Sequence, residues 1–123
     1  MERAVTAGEK IKRDIRNADT VLNSFLDKKS SDTTLILSGK EVIIYQLEKN
    51  SIYRNVYTGK AAPYKTRFMS NVKRIQFRIQ TFPDGPVVEC RIELETRSRE
   101  IKKEPIFIFA EKPGFGGRYV TRK

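Results

Sequence analysis

The stretch AVTAGEKIKRDIRNADTVLNSFLD, residues 4–27, decides how the rest of the sequence is read. Apolar or small residues recur at Ala4, Gly8, Ile11, Ile15, Ala18, Leu22 and Phe25, and Val21 and Leu26 widen the stripe. Steps of three and four fit one helical face and do not fit a strand. Glu9, Lys10, Lys12, Arg13, Asp14, Arg16, Asn17 and Asp19 lie between them and suit solvent. No proline interrupts the stretch, and Lys28 and Lys29 follow it, where the negative end of a helix favours cations. The pattern predicts one helix over about residues 4–27. At ~1.5 Å per residue it would run ~36 Å, about twice the mean for a globular domain.

Beyond residue 32 the period becomes two. Strands are expected over Thr33–Leu37, Glu41–Glu48 and Ser51–Thr58, with turns at Ser38–Lys40 and Lys49–Asn50. Lys60–Ser70, which contains Pro63, reads as irregular. Asn71–Phe82 and Val87–Thr96 form a hairpin around Pro83–Pro86, Arg97–Glu104 is a charged loop, and Pro105–Ala110 is a last apolar strand. The glycines and proline after Glu111 read as a flexible tail. Segregated helix and strands predict an α+β fold, one long N-terminal helix packed on an antiparallel β-sheet. The domain spans residues 1–110 and the tail 111–123. A helix longer than the sheet it covers projects past it, so Ala4, Val5, Gly8, Ile11 and Ile15 are the expected partner-binding residues. On this reading Ile11→Asp weakens association and leaves folding largely intact.

With 123 residues the chain is a single domain that can bury roughly two-thirds of its unfolded surface. It has no histidine, which removes imidazole bases, Ser/His/Asp triads and histidine metal ligands. A lone cysteine, Cys90, makes neither an internal disulfide nor a thiolate cluster. At an inward strand position Cys90 reads as a small core residue. Glu89, Glu93 and Glu95 alternate on one strand with Arg91 among them and read as a solvated ladder. Pro113–Gly117 is glycine-rich but lacks the spacing and the Lys-Ser/Thr of a phosphate loop. No enzymatic activity, catalytic set, metal site or cofactor is expected.

Net charge is +10, which suggests nucleic acid, anionic lipid or an acidic protein as a partner. On the hairpin, Val72, Ile75, Phe77 and Ile79 fit a buried face if the strand is irregular near Arg74. Val88, Cys90, Ile92 and Leu94 face in beside them, and outward Arg and Glu pair across the ladder. The unmatched cations lie in the loops and tail. Lys65, Arg67, Lys102, Lys103, Arg118 and Arg122 form the nucleic-acid-binding alternative, with Tyr64, Phe68, Phe115 and Tyr119 beside some of them as stacking partners. Solvated surface charge is the first account of the same residues.

Three stretches carry a family resemblance. They are AGEKIKRDIRNADTVL (residues 7–22), VIIYQLEKNSIY followed by Arg54 (42–53), and MSNVKRIQF (69–77). In this order the chain resembles the minor pilins and pseudopilins of type IV pili and type II secretion, and is most similar to the J-type minor pseudopilin and its competence-pilus counterparts. The resemblance implies a pilin-like fold. It also implies a structural role: assembly with other minor pseudopilins at a filament tip, anchored in the inner membrane with this domain periplasmic or extracellular. It further implies an apolar N-terminal membrane segment. Met1 is followed at once by Glu2 and Arg3, so the sequence reads as the soluble part of such a protein. The rival reading is a DNA- or polyanion-binding module, including a DNA-uptake minor pilin.

Overall fold

A computed structural model of the chain describes residues 2–59, 62–95 and 106–114, with the side chains of 2–7, 106 and 107 outside the description. It opens with helix α1 (Glu2–Asn17) and three two-residue strands, β1 (Thr20–Val21), β2 (Ser24–Phe25) and β3 (Lys28–Lys29). Then come β4 (Thr34–Ser38), β5 (Val42–Glu48), β6 (Ser51–Tyr57) and β7 (Tyr64–Met69). The hairpin β8 (Val72–Phe82) and β9 (Gly85–Leu94) follows, and then β10 (Ile106–Glu111). A five-stranded antiparallel sheet has the order β1-β4-β5-β6-β7, a three-stranded sheet the order β10-β9-β8, and β2 pairs with β3.

The described residues are mostly β-sheet with a single short helix, not an α+β fold in which one long helix packs on a sheet. The helix has 16 residues and stops at Asn17, ten residues before the expected end at Asp27. Ala18 still donates to Asp14 O at 3.1 Å, but the Asp19 amide turns to Ser38 O at 2.7 Å. From there Thr20 and Val21 pair with Ser38 and Leu37. Gly39 packs against this junction: a Cβ on it would stand 3.4 Å from Asn17 O and 3.5 Å from Ala18 Cα, an ordinary contact.

The five-stranded sheet explains why the helix gives way. Leu35, Leu37, Tyr45 and Ile52 share one face and belong to the main core. Ile36 and Ile44 point to the other face and are also fully buried. A sheet apolar on both faces needs two covers. Val72, Ile75, Phe77, Val88, Cys90 and Ile92 of the three-stranded sheet close the first face, together with Ile11 and Ile15 of α1. On the second face Phe25 meets Tyr57 edge-on, ring centroids 5.1 Å apart, so the β2–β3 hairpin serves as the cover. Of the residues expected to extend the helix, Phe25 serves this face, Val21 packs against the main core and Leu26 is exposed.

The rest of the β pattern follows the sequence closely. A register shift lies between Val72 and Arg74, at the expected irregularity, and keeps Val72, Ile75 and Phe77 inward, whereas Ile79, expected beside them, is exposed. β7 occupies part of a segment read as irregular. Pro63 just precedes it, and β7 is an edge strand, the place in a sheet where proline is tolerated. The expected charged loop 97–104 lies outside the described residues, as does the tail beyond Gly114. Within the described start of that tail, Gly114 N donates to Ala18 O at 2.8 Å and Lys112 hydrogen-bonds Asp84.

Candidate interaction surface

The most organised polar group in the fold joins three elements. Asp14 of α1 accepts a hydrogen bond from the Tyr45 hydroxyl of β5. Its two oxygens also receive Arg54 of β6, Nε to Oδ2 at 2.9 Å and Nη2 to Oδ1 at 3.2 Å. Asp14 is 8% exposed and Tyr45 fully buried. Tyr45 and Arg54 are cross-strand partners, so sheet register sets them side by side. Burial first, then the Asp14 charge, pushes the Tyr45 hydroxyl far above its ordinary pKa, so it stays a donor. Burial opposes the Arg54 charge, but the hydrogen bond and charge of Asp14 outweigh it and raise the Arg54 pKa. The arrangement fixes the helix to the sheet. It has no nucleophile and opens no acid/base pair. Asp14, read from the sequence as solvent-facing, is buried; the signal passed over is that it stands three after Ile11 and four before Ala18, on the apolar stripe itself. A carboxylate there demands a buried partner.

Cys90 is buried and free, and burial pushes its thiol up to about 12, which suits a core residue and not a nucleophile. Among the described residues no group of His, Cys, Asp or Glu gathers as a metal site. Glu93 pairs with Arg74 at 3.3 Å and Glu89 with Arg78 at 3.9 Å, but Glu93 is buried, so the expected solvated ladder fails at that residue. No helix of the described residues is long and apolar enough to cross a membrane.

The expected partner stripe on the helix is turned inward. Ile11 and Ile15 have no exposed surface, and Gly8 is buried with a Cβ position 3.6 Å from the Phe109 ring. These three residues face this chain's own core and are closed to a partner. The helix ends at Asn17, and the short strands that follow take the rest of its predicted length. Ala4 and Val5 lie within α1, and their side chains lie outside the description.

Of the six basic residues proposed for nucleic acid, Lys102, Lys103, Arg118 and Arg122 lie outside the described residues. Lys65 and Arg67 lie on β7 and are exposed. Lys65 reaches both Glu48 oxygens at 3.1 Å, and its ammonium sits 4.5 Å above the Tyr53 ring. Because this segment is a strand, sequence neighbours point to opposite faces. Tyr64, 72% exposed, therefore faces away from Lys65 and Arg67, and Phe68 turns to Tyr45 with ring centroids 5.2 Å apart. The stacking partners assumed from sequence adjacency do not stand beside their cations. The alternation of Tyr64, Thr66 and Phe68 with Lys65 and Arg67 was a strand signal that Pro63 obscured.

β7 is also the open margin of the larger sheet. It pairs with β6 on one side and with no other strand among the described residues. Tyr64, Lys65, Thr66 and Arg67 are exposed on both of its faces. The other margins differ: β10, six residues long with Ile108 exposed, is the second outer strand of the smaller sheet. β1 has two residues, and the outer edge of β8 is capped where Phe77 N donates to Asp32 O at 2.7 Å. No protein-family model matches this chain, and no curated protein matches it.

Proposed function

We propose that the chain is a structural assembly domain of the minor pseudopilin type, which joins other pilin-like subunits at a filament tip and performs no chemistry. One observation carries this reading: the three stretches that bear the resemblance converge. Ile11, Asp14 and Ile15 come from the first, Tyr45 and Ile52 with the adjoining Arg54 from the second, and Met69, Val72, Ile75 and Phe77 from the third. Their apolar members share one core, and their polar members form the Asp14–Tyr45–Arg54 group. The helix is shorter than the resemblance implied, so the reading rests on this convergence and not on the fold as a whole. In this role the domain would be tethered in the cell envelope by an apolar segment joined to α1 and held outside the inner membrane.

The native gene provides the first test. Its reading frame upstream of Met1 is expected to encode a prepilin peptidase site and about 20 apolar residues, the length that spans a bilayer. Deleting the gene in its source organism is then expected to abolish or shorten surface filaments, or to stop protein export, with complementation by the full reading frame. Unchanged filaments and unchanged export in the deletion strain would remove the assembly role.

A further inference from the structure

We infer that the free edge of β7 receives an extended acidic segment of a partner protein, which adds to the five-stranded sheet as a further strand. The inference does not depend on the pseudopilin reading, because it rests on the edge and its charge alone. Four residues of β7, Tyr64 to Arg67, are exposed along an edge that no described strand pairs, while Phe68 and Met69 turn into the core. Both faces of Tyr64 to Arg67 are open, so an incoming strand could set side chains against either one. Lys65 and Arg67 share one face, two residues apart, as alternate positions in a strand must. An added strand with acidic residues at alternate positions would place them opposite these cations, and opposite charges across a ladder are stabilising.

Charge selects among the occupants. In antiparallel pairing of β7 with a second copy of itself centred on Thr66, Lys65 would face Arg67 and Arg67 would face Lys65, and like charges directly opposite are destabilising. The net charge of +10 opposes self-association further. Single-stranded nucleic acid needs bare ring faces beside its cations. Here the Tyr53 ring is already covered by Lys65, and the exposed Tyr64 ring lies on the opposite face. Arg67 makes no ion pair within the described residues, whereas Lys65 is held by Glu48. Arg67 is therefore the cation free to receive a carboxylate, and Lys65 can exchange Glu48 for one.

Cations on an edge also discourage strand pairing, and the experiment separates the two roles. The probe is a short synthetic peptide alternating glutamate with valine, compared with its lysine–valine counterpart and with a single-stranded oligonucleotide. Binding is followed by amide hydrogen exchange and chemical shifts of residues 64–69. The acidic peptide is expected to protect β7 amides, to bind more weakly as salt rises, and to lose about tenfold or more in affinity with Arg67→Glu. Arg67→Gln should fall between the two and guards against a misfolded variant. Several results would overturn the inference: no added protection in β7, equal binding of the lysine peptide, or protection by the oligonucleotide and not by the acidic peptide. If Arg67→Thr merely promotes self-association while the wild type ignores the acidic peptide, the cations only guard the edge and the docking role is lost.

Discussion

Asp14 and Arg54 lie 40 residues apart in sequence and share two hydrogen bonds, with Asp14 almost wholly buried and the Arg54 side chain 19% exposed. Removing one member of such a pair leaves a partly buried charge without its counter-ion, which costs more than the pair is worth as a whole. Asp14→Asn is therefore expected to lower stability by about 2–4 kcal/mol in urea unfolding. Combining it with Arg54→Met should be less harmful than the two single losses added together, with a coupling of about 1 kcal/mol or more. Additive losses would mean that the two side chains do not act as a pair.

Ile11 gives the sharpest reversal of a sequence-based expectation. It is fully buried among Ile15, Tyr45 and the apolar face of the three-stranded sheet. Burying an isoleucine side chain contributes about 1.5–3 kcal/mol, and an unpaired carboxylate in its place adds a large desolvation cost. Ile11→Asp should therefore unfold the domain. Ile11→Ala should remain folded at a cost of about 2–5 kcal/mol. A folded Ile11→Asp with a normal circular dichroism spectrum and a cooperative melt would show that the helix stripe is not core.

These two residues also show how far the sequence could be read. Ile11, Ile15 and Ala18 carried the helical period correctly, and the β4–β5–β6 meander and the β8–β9 hairpin followed from alternation and turn residues. The period did not reveal where the helix ends. Val21, Leu22, Phe25 and Leu26 satisfy helical spacing, and no local breaker stands at Ala18. The decision is tertiary. Leu35-Ile36-Leu37 and Ile43-Ile44-Tyr45 are unbroken apolar runs in adjacent strands, which marks a sheet buried on both faces. That signal called for a second cover, and the only apolar residues close by in sequence were those assigned to the helix. Asp14 reads as solvent-facing in the sequence, although its place on the apolar stripe marks it as a buried carboxylate. Its partners depended on a strand register that one sequence does not disclose. β7 was hidden because Pro63 reads as a breaker, although proline is compatible with the start of an edge strand.

Leu26 stands at the first central position of the two-residue turn between β2 and β3, with φ 57° and 77% of its surface exposed. A leucine in the left-handed region costs roughly 1–2 kcal/mol, and glycine adopts it freely at the expense of some unfolded-chain entropy. The side chain recovers little by burial. Leu26→Gly should therefore stabilise the domain, by about 0.5–1 kcal/mol after the entropy is allowed for. A lower midpoint in thermal or urea unfolding would mean that the exposed leucine makes contacts that outweigh its backbone strain.

The Cys90 thiol has its pKa raised by burial from 9.0 to about 12. The neutral thiol is thus the form the fold prefers. Below the ordinary value both folded and unfolded chains hold the proton, and the contribution to stability is complete. Between 9 and about 12 the unfolded chain has released the proton and the folded chain keeps it, so stability falls as pH rises through that window. The slope for one group is at most about 1.4 kcal/mol per pH unit. Tyr45, raised chiefly by burial, acts in the same direction above its own ordinary value. Cys90→Ala removes one of the two contributions, so its unfolding free energy should decline less steeply from pH 9 upward than that of the wild type, whatever offset a small cavity introduces at neutral pH. Thiol labelling gives an independent reading. At mildly alkaline pH, Cys90 should react only as fast as the chain opens, and added denaturant should accelerate labelling in step with unfolding. Rapid stoichiometric labelling of the folded protein, or identical alkaline slopes for wild type and Cys90→Ala, would place the thiol at the surface instead of in the core between the two sheets.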